Sequence, residues 1–167
     1  MALSIVRGSV EDVDSLEPLW VAVHHAHAAS MPELAPYVSD AETWAHERPI
    51  YVELLAKPDT LLLLARDGDE LIGYALAHVT AVEETWIPDT WRTGPRIGEL
   101  ESIGVDEGRR GEGIGSALMD AVERELAALG VDDLILGALP GNEGALRLYE
   151  RRGFQPTWLY LSRFAGR

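Results

Sequence analysis

The sequence predicts a single α+β domain built on a mixed sheet, and three observations predict it. Short apolar runs of strand length alternate with segments whose apolar residues recur every three or four positions. The segments follow one another as strand, two helices, three strands, helix, strand, helix, strand. No repeat, low-complexity tract or linker divides the chain, and 167 residues suit one domain (1–167) with its own core.

Leu3–Arg7 is the first strand candidate. Ser9, with Asp12 three residues later, can cap a helix running to about Ala29, with Val13, Leu16, Trp20 and Val23 at helical spacing. Pro32 and Pro36 break the chain, and Ser39 or Asp40 starts a second helix that Pro49 is expected to interrupt or kink. Thr60–Arg66 and Glu70–Val82 read as strands around the hairpin turn Asp67-Gly68-Asp69. A loop rich in Trp, Pro and Thr, Glu83 to Arg96, precedes a fourth strand, Ile97–Val105. Ile114–Leu129 is an amphipathic helix ended by Gly130, and Leu134–Leu136 a fifth strand. Asn142 can cap a helix through Glu150, stopped by Gly153, and Phe154–Phe164 reads as a last strand.

Bulk chemistry narrows the function. Twenty-eight acids face 14 bases, a net charge of −14, which argues against nucleic acid as a partner because phosphate binding needs a basic face. An acidic surface suits a cationic small molecule or simply keeps the protein soluble. There is no cysteine, so a disulfide, a thiolate nucleophile and a zinc–thiolate site are all excluded. The longest aliphatic run, Leu61–Ala65, is far too short to cross a bilayer, and the first residues do not read as a signal peptide; a cytoplasmic protein is the expectation.

The stretch Arg109 to Met119, RRGEGIGSALM, places three glycines where a helix starts. Glycine weakens helices, so bare backbone must be needed there. A P-loop would require Lys then Ser or Thr after its last glycine, and Ile114 or Ser116 follows instead. A dinucleotide fingerprint, G-x-G-x-x-G, fails at its last position in either register. Arg110-x-x-Gly113-x-Gly115, after a strand and opening an amphipathic helix, resembles the R/Q-x-x-G-x-G/A signature of the GCN5-related N-acetyltransferase (GNAT) superfamily. Asn142 to Phe154, NEGALRLYERRGF, resembles that family's second signature, N-x-x-A-x-x-L-Y-x-x-x-G-F. The two motifs cover roughly the C-terminal half, from Glu99 to Phe154.

The resemblance implies a mixed, largely antiparallel central sheet of six to seven strands flanked by about four helices. It implies acetyl-CoA as co-substrate, with its pyrophosphate on the N–H groups of Gly111, Gly113, Ile114, Gly115 and Ser116 at a helix N-terminus. Arg109 and Arg110 can add charge. Glu112 departs from the family, which often carries a non-acidic residue there. The backbone of Ile103, Gly104 and Val105 would hold the pantetheine arm and the thioester oxygen, and Asn142 would orient that arm.

Acetyl transfer requires a deprotonated amine, since a free alkylamine with pKa ~10 is mostly protonated at neutral pH. Two-residue alternation puts Ile97, Glu99, Glu101, Ile103 and Val105 on one face of the fourth strand. In the family the base sits at a position matching Glu99 or Glu101; Glu101 lies nearer the thioester end, while pairing with an arginine such as Arg96 is the alternative role. Tyr149, seven residues after Asn142 and on the same helix face, matches the family's candidate acid for the departing thiolate. His24 and His27 are one turn apart on the first helix beside His25; with no third ligand nearby in sequence no metal site is assigned, and they can line an acceptor pocket. Trp44, Trp86 and Trp91 can form an aromatic wall or pack in the core. The 83–96 loop is long enough for a lid or a dimer contact. The resulting expectation is an acetyl-CoA-dependent N-acetyltransferase acting on a small amine by direct attack, with a homodimer common in the family. The alternatives are acetylation of a protein N-terminus or lysine, transfer to an alcohol or of a longer acyl chain, and a non-catalytic acetyl-CoA-sensing module.

Overall fold

A computed structural model describes residues 2–165. Five strands form one sheet in the order β1-β2-β3-β4-β5: β1 (Leu3–Arg7), β2 (Leu61–Asp67), β3 (Glu70–Ala81), β4 (Arg96–Val105) and β5 (Leu134–Leu136). The first three pairings are antiparallel and β4–β5 is parallel. The helices are α1 (Glu17–Ser30), α2 (Asp40–Leu55), α3 (Ile114–Ala128) and α4 (Glu143–Arg151). Among the described residues no helix is long and apolar enough to cross a membrane.

The sheet is a middle layer, and β2 shows why. Leu61, Leu63 and Ala65 point into a core with α3 and α4; Leu62 and Leu64 point into a second core with α1 and α2. Period-two alternation in an all-apolar run thus serves two faces at once, as a strand covered on both sides requires. Burying such a leucine contributes about 1.5–3 kcal/mol.

Local signals set the element ends. Ser9 and Asp12 form a reciprocal capping box at a 3-10 helix, Val10–Leu16, which runs directly into α1. Ser39 and Glu42 do the same for α2. Gly68 (φ +60°) turns the β2–β3 hairpin, and Gly130 (φ +73°) follows α3.

Three expectations are corrected. The expected interruption at Pro49 does not occur: helix α2 continues through it as one element from Asp40 to Leu55, giving up the one N–H that proline lacks. Among the described residues the sheet has five strands rather than six or seven: residues 154–164 form no strand. That segment would have had to pair at the edge, where β5 offers only three residues, and Pro156 lacks a ladder donor. Trp158, Leu159, Tyr160 and Leu161 are left exposed. The 83–96 loop is no lid: it folds into 3-10 turns, packs Trp86 and Ile87 beside Val82 against Ile97 and Ile135, and lines none of the central cleft.

Candidate active site

The cleft exists because β4 outlasts β5. The parallel pairing ends at Leu100↔Leu136, whereas β4 continues along β3 as far as Val105↔Gly73. One edge of residues 101–105 therefore faces an open cleft of about 770 Å³, bounded by α1, the loop before α3, the loop after β5 and α4. Every site residue expected from the sequence lines it except Glu99: Glu101, Ile103, Gly104, Val105, Arg109, Arg110, Gly111, Gly113, Ile114, Gly115, Ser116, Asn142 and Tyr149.

Strand β4 carries an extra residue. Ala77 faces Leu100 and Leu76 faces Ser102, so Glu101 is bulged out between them. The bulge reverses the alternation, which corrects the one-face reading. Leu100, Ile103 and Val105 pack toward α3, while Ser102 turns to the α1–α2 side and bonds the Tyr74 hydroxyl there. Glu99 stands opposite His78. His78 Nε2 lies 3.7 Å from Glu99 and 3.8 Å from Glu101, so the three side chains form one cluster at the mouth of the bulge. Their ligand atoms all fall within 4.8 Å of one another, which is also a spacing a divalent ion can bridge. The Glu101 side chain is 29% exposed against 40% for Glu99, while the bulge leaves Glu101 as a whole residue the more open of the two.

A second carboxylate was missed from the sequence. Glu47, half-buried on α2, faces Glu101. Burial and the neighbouring Glu101 charge push its pKa up to about 7, against the opposing pull of the Tyr51 hydroxyl. A group that titrates there is matched to proton transfer at neutral pH.

The glycine loop has the backbone that glycine permits. Gly111 and Gly113 both sit at φ +84°, and Gly113 is the N-cap of α3. Helix α3 thus opens into the cleft with bare N–H groups and the positive end of its dipole. Arg109 is committed elsewhere: its guanidinium bonds Asp67 at 2.8 Å and Glu112 at 3.0 Å, with Glu70 at 3.5 Å. These hydrogen bonds raise its pKa further and explain how an acid is tolerated at Glu112. Arg110 donates to the Ala22 carbonyl of α1 at 3.1 Å, pinning the loop to the opposite wall.

On α4, the Asn142 side-chain oxygen accepts from the Ala145 N–H at 3.2 Å and caps the helix. Tyr149 is buried, stacks edge-on against Phe154 with ring centroids 5.8 Å apart, and has its pKa raised by burial. A phenol held protonated is a proton donor by default. Arg152 joins α4 to α3, reaching Glu123 at 2.9 Å and also Asp120.

The α1 wall carries Trp20, Val23 and His27. Trp20 is locked by donation to Thr43 at 3.1 Å and stands edge-on to Tyr51 and to His27. Burial, reinforced by His24, lowers the His27 pKa. The three histidines do not converge: His24 meets the Val38 carbonyl and His25 meets Asp40. Nor do the tryptophans form one wall. Trp44 is core beside Tyr51, whereas Trp86 packs with Trp91 and Trp158 and lies by Ile97 at the start of β4 and Ile135 of β5.

Comparison with known proteins points one way. A family model described as "Acetyltransferase (GNAT) family" matches residues 20–154. A mycothiol acetyltransferase of Frankia alni is 35% identical over 136 residues, 78% of this chain and 37% of that protein. One from Frankia casuarinae is 33% identical over 157 residues, 89% of this chain and 40% of that protein. The chain thus spans about two fifths of the length of these curated relatives. Among solved structures, a GCN5-related N-acetyltransferase from Ralstonia eutropha superposes with a TM-score of 0.72 at 22% identity, covering 99% of this chain and 100% of that one.

Proposed function

Because this chain belongs to the GNAT acetyltransferase family, we propose that it moves the acetyl group of acetyl-CoA to the primary amine of a small molecule, by direct attack in a ternary complex. One observation carries the reading: the splay of β4 from β5 brings a carboxylate, Glu101, and a buried phenol, Tyr149, to the same cleft as the glycine loop.

The pyrophosphate of acetyl-CoA lies against the N–H groups of residues 111–116, where the α3 dipole favours negative charge. The pantetheine arm runs along the free edge of β4 at Ile103–Val105 as a short added strand. Backbone N–H groups there stabilise the thioester oxygen as charge builds on it. The ammonium of the acceptor approaches the acidic cluster and gives up one proton there before attack. The nitrogen bonds the acetyl carbon, Glu101 takes the second proton from it, and the C–S bond breaks as Tyr149 protonates the departing sulfur and then regains a proton from solvent. The chain has no cysteine to carry the acyl group on sulfur. A homodimer belongs to the same reading, supported by the exposed Trp158–Leu161 run.

A cofactor-sensing module would use the same glycine loop without chemistry, and a protein N-terminus or lysine would use the same chemistry in a more open groove. Acetyl-CoA binding by calorimetry, run beside thiol release, separates the first alternative. The proposal expects Tyr149→Phe and Glu101→Gln to bind acetyl-CoA normally while turnover falls about 10²-fold or more. A sensing module would bind the cofactor with no thiol release in either form.

A further inference from the structure

Besides the Trp20–Thr43 hydrogen bond, a line of three hydroxyls runs through the apolar core between the sheet and α1–α2. The Tyr51 hydroxyl lies 2.8 Å from the Tyr74 hydroxyl, and the Tyr74 hydroxyl lies 2.8 Å from Ser102 Oγ. All three residues are buried. Ser102 forms one end of this line and lines the cleft. At the other end stands Glu47, one helical turn before Tyr51 on α2 and near enough for the Tyr51 hydroxyl to act on its carboxylate. Hydroxyls in an apolar core are costly unless they are matched, so a hydrogen-bonded line of three that runs from a cleft toward a half-exposed carboxylate calls for a use.

We propose that the Ser102–Tyr74–Tyr51 hydroxyl chain carries a proton from the acceptor ammonium in the cleft to the Glu47 carboxylate. The proposal rests on the acetyltransferase reading given above. An acceptor that arrives as an ammonium sheds two protons on its way to an amide. One leaves before attack, and one leaves as the tetrahedral intermediate collapses. Glu101 can hold only one of them at a time.

The first proton takes the chain. The ammonium N–H breaks as its proton goes to Ser102 Oγ. The Ser102 proton passes to the Tyr74 oxygen, the Tyr74 proton to Tyr51, and the Tyr51 proton to Glu47. Each hydroxyl accepts one proton and gives one, so all three end neutral with their bonds reversed. The ammonium and the carboxylate end as amine and carboxylic acid. Glu47 then returns the proton to solvent through its exposed side. The second proton goes from the intermediate to Glu101.

The charges around Glu47 suit this traffic. Glu101 on β4 faces it, with His78 of β3 beside Glu101, and Tyr51 on its own helix and Tyr74 on β3 also interact with it. Burial holds both tyrosines protonated. The affinity of Glu47 for a proton near neutrality lets it accept from the chain and release again.

The test is the pH profile of kcat/KM for an amine that the wild type acetylates, compared with Tyr51→Phe and Glu47→Gln. The wild type is expected to lose activity below about pH 7. Tyr51→Phe cuts the chain while keeping the ring, so kcat should fall at least tenfold with acetyl-CoA affinity unchanged. Glu47→Gln should remove the limb near 7. If Tyr51→Phe does not fold, Ser102→Ala cuts the chain at its other end and is read in the same way. An infrared titration of the acceptor-free protein adds a readout independent of turnover. A carboxylic acid band should titrate near pH 7, vanish in Glu47→Gln and shift in Tyr51→Phe. Wild-type kcat and pH limb in Tyr51→Phe would overturn the chain, as would absence of that band from an active enzyme. The band without acetylation of any amine would instead sink the acetyltransferase reading, and the route with it.

Discussion

Gly104 lies directly across the sheet from Tyr74, and a methyl group on its α-carbon would stand 2.6 Å from the tyrosine ring. The strand that would receive the thioester and the buried hydroxyl chain are therefore in contact. Val23 and the Leu19 carbonyl of α1 close the other side at 3.1 and 3.3 Å. Gly104→Ala must displace Tyr74 or α1, because neither obstacle is the end of a flexible chain. We expect a loss of about 1–3 kcal/mol in unfolding free energy, measured by denaturant titration, typical of overpacking. Retention of wild-type stability would mean that β4 and α1 are not held as described.

Gly113 tests the phosphate loop separately. Its φ of +84° strains any residue with a Cβ, although space is open around it. Gly113→Ala should cost about 1–2 kcal/mol in backbone strain. If the strain relaxes by tilting the first N–H groups of α3, acetyl-CoA affinity measured by calorimetry falls with it, about tenfold. A stability loss with unchanged affinity would place the pyrophosphate elsewhere.

Arg152 holds the two cofactor-facing helices together. It reaches Asp120 and Glu123 on α3 from the end of α4, with its own side chain only 16% exposed. Arg152→Ala is expected to lower stability by roughly 1 kcal/mol, a modest figure because its acidic partners are exposed. Since Tyr149 rides on α4, kcat should drop more than acetyl-CoA affinity does. Equal losses in both would show that α4 is not set by this contact.

Glu47 predicts a pH dependence of stability. Its folded pKa of about 7 exceeds the ordinary 4.5, so between those values the native state holds a proton that the unfolded state has lost. Stability therefore falls as pH rises from about 4.5 to 7, and the cost persists above 7. Glu47→Gln removes the cost. At pH 8 it should melt higher by about 2–4 °C, roughly 1 kcal/mol once solvent screening of a half-exposed group is allowed for. Parallel melting curves from pH 4 to 8 would mean that Glu47 is not perturbed.

The sequence made the frame legible because its signals are local. Capping pairs at Ser9 and Ser39, the Gly68 turn and the Gly130 stop each act within a few residues. The glycine loop and the Asn142–Phe154 motif led to thirteen residues that line the cleft. What stayed hidden depends on distant partners. The bulge at Glu101 is a mismatch between β3 and β4, and nothing within Glu99–Gly104 announces it. Glu47 looks like an ordinary charged residue on a helix; burial, and then the approach of Glu101 on β4, make it unusual. Trp20 enters the cleft because Thr43 of α2 fixes its ring. The segment 154–164 has a strand's composition but finds no strand pairing, and pairing is not a property of composition.

The central claim is acetyl transfer to a small amine, and thiol release from acetyl-CoA tests it most directly. Polyamines, aminoglycosides, amino acids, aromatic amines and short peptides would be offered in turn, beside a blank without acceptor. We predict release above the blank with one class of small amine, matched by acetylated product in the mass spectrum. Release equal to the blank with every amine and peptide, while acetyl-CoA still binds, would contradict the claim.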